Sequence, residues 1–251
     1  MERKNHEENP NFIFGIRPVI EALKSDKEVD KVLVQKGISG EIFRELLALM
    51  KQKEIPYQFV PEQKLNRLTN KTHQGVICFI TDIKFQEIEN ILPTVFEKGK
   101  IPLLLILDKI TDVRNFGAIC RTAECCGVDA VIIPSRGAAQ INADAVKTSA
   151  GALHKIAVCR SQNLKETIAY LKTSGLKIIS CTEKTESNYT AVDYTSPSVI
   201  IMGSEEDGIS GEYLKLSDAR AKIPLLGKIE SLNVSVATGV ILYEAIRQRG
   251  K

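Results

Sequence analysis

Residues 102–108 read Pro-Leu-Leu-Leu-Ile-Leu-Asp, an apolar run closed by one acid. A run so short and so uniformly apolar fits a strand covered on both faces, as in the centre of a parallel sheet. Parallel neighbours need crossover connections, usually helices. The sequence that follows supplies them. Val113 to Gly127 predicts a helix stopping on glycine, Asp129-AVIIP a strand, and Asn142-ADAVKTSAG a short helix or turn. His154-KIAVCR and Leu176-KIISC predict strands around the helix Asn163-LKETIAYLKTSG. Ser198-VIIMG and Ala221-KIPL add two more strands before a final helix, Asn233 to Arg249. That helix is apolar nearly all round until Arg247, so it is expected to be buried on most sides.

A smaller block precedes this one. Arg17-PVIEALK predicts a helix with Pro18 near its start, and Val29-DKVLVQ a strand. Ser39-GEIFRELLALMKQK has apolar residues at helical spacing, with Ser39 placed to cap. Tyr57-QFV, Pro61-EQKLNRLT and His73-QGVICFI predict strand, short helix and strand. The expected organisation is a disordered tail at 1–11, a small α/β domain at 12–82, a polar linker at 83–100 holding Pro93 and Gly99, and a larger α/β domain with an open parallel sheet at 101–251.

Composition closes off several function classes. No run of ~18 apolar residues is present for a transmembrane helix, and the polar start MERKNHEENPNF lacks a secretory apolar core. The six cysteines form no CxxC pair and the three histidines are scattered, so no metal site is expected. Buried free thiols in a reducing cytoplasm are the expectation. Net charge is +3. Residues 1–90 hold 14 bases and 14 acids, so the excess belongs to the remainder. So balanced a charge neither announces nucleic acid nor excludes it, because a local basic patch is invisible in the sum.

In open parallel sheets, ligands sit beyond the carboxyl ends of strands. Three segments occupy such positions. DKITDVRNFGAICRTA places Asn115, Gly117 and Arg121 at a loop-to-helix start, suited to an anion, with Gly117 letting a ligand near the backbone. The same pattern fits an asparagine cap on an ordinary helix. GSEEDGIS offers Gly203, Glu205 and Gly208, while Glu206 and Asp207 read as a solvated turn. LGKIESLNVSVATG holds Ser231 and Asn233, where a cap and a ligand contact are compatible. P-loop, dinucleotide-binding and nucleophile-elbow motifs are absent.

Taken in order, Asn115-FGAICRTA, Gly203-SEEDG and Ile223-PLLGKIESLNVSVATG resemble the three motifs of the SpoU (TrmH-like) family of RNA ribose 2′-O-methyltransferases, within the knotted SPOUT superfamily. FGIRPVIEAL and HQGVICFI resemble the ends of the substrate-binding domain in members acting on large-subunit rRNA, so the likeness spans about residues 12–249. Many members carry a proline just before the first motif, where this chain has Val113-Arg114-Asn115. The resemblance implies a trefoil-knotted catalytic domain binding S-adenosylmethionine, with main chain at Gly203, Ile223, Leu225 and Leu232 holding its adenine and ribose. It implies a polar site of Asn115, Arg121, Glu205, Ser231 and Asn233, and a homodimer formed through the C-terminal domain, with Arg121 acting across the interface. Arg17, Lys36, Lys71 and Arg114 are the candidate RNA contacts. The expected activity is methylation of a guanosine 2′-hydroxyl in 23S rRNA. Alternatives are a tRNA or rRNA-adenosine enzyme of the same family, or a non-catalytic RNA-binding protein.

Overall fold

The computed structural model describes residues 12–250. The tail expected at 1–11 lies outside them. The chain divides into two compact units at Asp82/Ile83.

The first unit runs β1 (Phe12–Phe14), α1 (Ile16–Lys24), β2 (Glu28–Gln35), α2 (Glu41–Gln52), β3 (Tyr57–Val60), α3 (Glu62–Asn66) and β4 (Val76–Thr81). Its sheet has the order β1-β4-β2-β3, with β4 antiparallel to both neighbours and β3 parallel to β2. Val19, Ile20 and Leu23 of α1 and Phe43, Leu46 and Met50 of α2 pack on one face, against Val32, Val34, Val76 and Cys78. The alternate residues Leu33, Ile77 and Phe79 meet Leu65 of α3 on the other. The helix α2 starts one residue later than its sequence suggests. Gly40, at φ 128°, takes the cap position without any side-chain bond, so Ser39 does not cap.

The second unit contains β5 (Phe85–Gln86), α4 (Ile88–Glu97), β6 (Leu103–Asp108), α5 (Val113–Cys125), β7 (Ala130–Pro134), α6 (Ala143–Thr148) and β8 (Ala157–Ser161). It continues with α7 (Leu164–Thr173), β9 (Lys177–Cys181), β10 (Ser198–Gly203), α8 (Gly211–Leu216), β11 (Ala219–Ala221) and α9 (Val234–Gln248). All seven strands pair in parallel, in the order β11-β9-β10-β6-β7-β8-β5. The apolar run is the middle strand β6, with all six residues buried. Leu103, Leu105 and Leu107 face a core shared with Phe116 and Ile119 of α5 and Ile241 and Leu242 of α9. Leu104 and Ile106 face a second core with Leu92 of α4 and Ile168 and Leu171 of α7. Strand order reverses at β6, since β7 and β8 lie to one side and β9 and β10 to the other. The carboxyl ends of β6 and β10 therefore bound a topological switch point.

Several segments differ from their sequence-based expectation. The stretch expected as a linker, 83–100, holds β5 and α4 of the second unit. Phe85 pairs with Val158, its ring lies 3.5 Å from the Arg160 guanidinium, and Ile88, Leu92 and Val95 bury one face of α4 despite Pro93 inside it. The last strand lies at 219–221 rather than 221–225, which frees Lys222 onward as loop. His154 ends a 3₁₀ turn, and β8 begins at Ala157. The helix α9 buries Val234, Thr238, Ile241, Leu242, Glu244 and Ala245 but leaves Val236 and Tyr243 more than half exposed. Just past α9, the Arg249 guanidinium donates to the carbonyls of Ile101, Pro102, Tyr194 and Ser196, bolting this end to the segments that lead into β6 and β10.

Candidate functional site

The loop after β10 is built around a residue that must be glycine. A Cβ at Gly203 would stand 2.2 Å from the Gly208 carbonyl carbon and 2.3 Å from Ile209 N. The loop folds back on itself through Gly208 N to Ser204 O (3.0 Å) and Asp207 N to Ser204 Oγ (3.1 Å). Gly208 turns the chain at φ 68°. Asp108, buried at the end of β6 and level with Gly203 in the ladder, accepts from Ser210 N at 2.7 Å. This carboxylate fastens the far end of the loop to the central strand.

Two helix starts converge on that loop. Asp112, rather than Asn115, caps α5, accepting from Asn115 N at 2.7 Å. Asn115 thus sits inside the first turn with its side chain free to reach outward. Gly117 serves packing, not ligand approach: a Cβ there would lie 2.7 Å from Ala145 O and 2.8 Å from Thr148 Cβ of α6. Asn233 caps α9 with its carbonyl oxygen, which accepts from Ser235 N (3.0 Å) and Ser235 Oγ (2.5 Å). Its amide nitrogen donates to Asn115 Oδ1 (2.9 Å) and to Glu205 Oε1 (2.8 Å). Glu205 Oε1 also accepts from Val234 N at 2.9 Å. One asparagine therefore ties three strand-end segments into a polar trio. The bookkeeping fixes orientation: Asn115 presents its oxygen to Asn233, which leaves its two N–H groups for another partner.

Beside the trio lies a cleft of about 380 Å³ at the carboxyl ends of β9, β10 and β11. Met202, Ile223, Leu225, Leu232, Val234 and Ala237 give it an apolar lining. Glu183, Glu205, Glu206, Asp207 and Glu230 set five acids around it against Lys184, and Ser231 lines it too. Of the residues expected to hold a cofactor, Ile223, Leu225 and Leu232 line the cleft, and Gly203 lies between the lining residues Met202 and Ser204. Glu206 and Asp207, expected to be a solvated turn, are exposed and also border it. Thr182, Glu183 and Lys184 escaped the sequence reading. Their signal was present, because they follow a strand, β9, as the other three segments do. The Cys181 thiol, also in the lining, is pushed up to about 12 by burial and stays protonated at neutral pH.

Arg121 and Arg114 stand apart from the cleft. Both are exposed on α5, and neither has a hydrogen bond or ion pair with the described residues. In the first unit, Arg17 follows the end of β1, Lys36 follows β2, and the Lys71 ammonium lies 5.9 Å from the Phe14 ring centroid. All three occupy one end of that sheet, where β4 begins.

Residues 102–243, which hold the trio and the cleft, match the model of the SpoU rRNA methylase family. The chain belongs to this SpoU family. The first unit and β5 match a second model, RNA 2′-O ribose methyltransferase substrate binding, over residues 12–86. Relatives of the SpoU chain span its length. One from Bacillus subtilis, provisionally named the TrmH family tRNA/rRNA methyltransferase YacO, is 32% identical over 95% of this chain and 96% of its own. One from Staphylococcus aureus, under the same provisional family name, is 35% identical over 94% and 96%. Among solved structures, the SpoU methyltransferase AviRb from Streptomyces viridochromogenes superposes with a TM-score of 0.60 at 24% identity, covering 95% of this chain and 89% of that one. An AdoMet-bound rRNA methyltransferase from Sinorhizobium meliloti gives 0.61 at 23%, covering 94% and 87%. These two establish a shared fold.

Proposed function

We propose that this SpoU chain methylates the ribose 2′-hydroxyl of a guanosine in 23S rRNA, using S-adenosylmethionine. The observation that carries this is the Asn115–Asn233–Glu205 trio fastened beside a cleft with an apolar lining and an acidic rim. The cleft suits the cofactor chemically. Its volume falls in the range of small-molecule sites, apolar walls accept an adenine, and five acids favour a cationic sulfonium. Support also comes from the AdoMet-bound neighbour and from the name of the family model that matches residues 12–86.

Bound there, S-adenosylmethionine supplies a methyl carbon activated by positively charged sulfur. The chain's own residues do the rest. Main chain at Gly203, Ile223, Leu225 and Leu232 holds the nucleoside part. Asn233 keeps Glu205 and Asn115 in place, and the free amide of Asn115, together with Ser231, orients the ribose. Positioning of this kind supplies several kcal/mol of rate acceleration. Arg121 binds the adjacent phosphate and stabilises the developing alkoxide, with phosphate or water taking the proton, because guanidinium stays protonated. The exposed Val236 and Tyr243 of α9 and Leu226 and Ile229 before it form a homodimer face, across which Arg121 acts. Arg17, Lys36, Lys71 and Arg114 contact RNA.

Arg121→Lys separates two roles for this residue. A requirement for the planar fork predicts near loss of methyl transfer at every pH. A simple base predicts substantial activity that rises with pH. The assignment of substrate is tested by mapping 2′-O-methylation in 23S rRNA and tRNA from cells lacking the gene. Loss of one methylguanosine in 23S rRNA is expected; an unchanged 23S pattern overturns the substrate, and loss in tRNA moves it there. Absence of S-adenosylmethionine binding in calorimetry overturns the enzyme.

A further inference from the structure

A second concavity, of about 330 Å³, opens on the same carboxyl edge of the seven-stranded sheet, on the far side of β6 from the cleft. Ser135 and Arg136 enter it from the end of β7, Gln162 and Asn163 from the end of β8, and Tyr213 from α8. Its charge is opposite to that of the cleft. Arg136 is a cation, and among the described residues no acid lines the pocket. That guanidinium is exposed and makes no hydrogen bond or ion pair with the described residues.

Three acids stand near the lining residues, and two of them have partners, while Glu212 lies on α8 beside Tyr213. Glu166 accepts from the Asn163 amide at 2.8 Å, and Asp108 accepts from Ser210 N. Burial, followed by the charges of Asp108 and Glu212, raises the Tyr213 phenol above its ordinary value, so it remains an O–H donor at neutral pH. A free guanidinium, a neutral phenol and a serine hydroxyl around one concavity suit a phosphate with its sugar or base edge, and not a second cation.

We infer that this pocket holds a nucleotide flanking the one to be methylated, with Arg136 on its phosphate and Tyr213 and Ser135 on its sugar or base edge. This rests on the proposal that the chain acts on RNA. The spacing suits it: β7 lies two strands from β10, roughly 10 Å at ~4.8 Å per strand, a distance a short run of nucleotides spans.

The test is binding of the full chain to rRNA from cells lacking the gene, across about 50 to 200 mM salt, for wild type, Arg136→Ala, Arg136→Lys and Lys155→Ala. Lys155 is an exposed lysine just before β8, at the opposite edge. The expected result for Arg136→Ala is about tenfold weaker RNA binding at low salt, with the salt slope reduced by about one unit. Melting temperature and S-adenosylmethionine affinity should not change. Arg136→Lys should keep the slope and recover part of the affinity, and Lys155→Ala should behave as wild type. Wild-type affinity and slope in Arg136→Ala overturn the pocket, as does an equal loss in Lys155→Ala. Neither readout needs catalysis. A wild type that binds RNA with the expected slope difference but transfers no methyl group therefore overturns the enzyme and leaves the pocket standing; a wild type that binds no RNA overturns both.

Discussion

Asn233 does two things with one side chain, and substitutions separate them. Its oxygen caps α9; its nitrogen holds Asn115 and Glu205. Asn233→Asp keeps an acceptor for the cap but removes both donated bonds and sets a carboxylate against Glu205. Methyl transfer should fall by a hundredfold or so, with melting temperature little changed. Asn233→Ala should lose the cap as well, costing ~1 kcal/mol in chemical denaturation. Equal losses of stability in the two variants would contradict this division. Gly203→Ala tests the loop differently. Its Cβ has backbone, not a flexible side chain, at 2.2 Å, so the loop must move. Calorimetry should show cofactor affinity lost, and denaturation a stability loss of about 1–3 kcal/mol.

At the scale of elements, α9 is instructive. Its buried Glu244 accepts two bonds from Arg247 and one from Gln248, and these hold its carboxyl down to about 2. A carboxyl depressed in the folded state adds stability above its unfolded pKa and loses it as pH falls through the folded one. The stability difference between wild type and Glu244→Gln should be constant above about pH 5 and shrink between about pH 4.5 and 2. A difference that persists to pH 2 would refute the link to ionisation. The same helix shows where sequence was readable. Its cap, Asn233, and its length follow from pattern, as do the strand Leu103–Asp108 and the helix α7 with its Asn163 cap. The register of polar contacts does not. Whether Asn115 or Asp112 caps α5 depends on where the chain leaves β6, and the donors that meet Glu205 come from a helix 28 residues away. Pro93 masked α4, although Ile88, Leu92 and Val95 already had helical spacing.

For the whole molecule, the position of β5 and α4 decides where the chain can be divided. A chain of residues 83–251 keeps both, and should fold and bind S-adenosylmethionine while losing its RNA preference. One beginning at 101 removes Ile88 and Leu92 from the core that covers Leu104 and Ile106, and should melt lower or aggregate. Equal melting temperatures for the two would show that α4 is dispensable. The bonds that build the site also carry a sense of time. Asn233 reaches back 118 positions to Asn115, and Ser210 reaches back 102 to Asp108. Contacts of such range pay loop-closure entropy early and are made late in folding. On a growing chain, the trio cannot form until Asn233 has left the ribosome, well over a hundred residues after Asn115. A small molecule that binds only the finished cleft stabilises the native state by mass action, so the supply of that molecule should set how long a newly made copy persists.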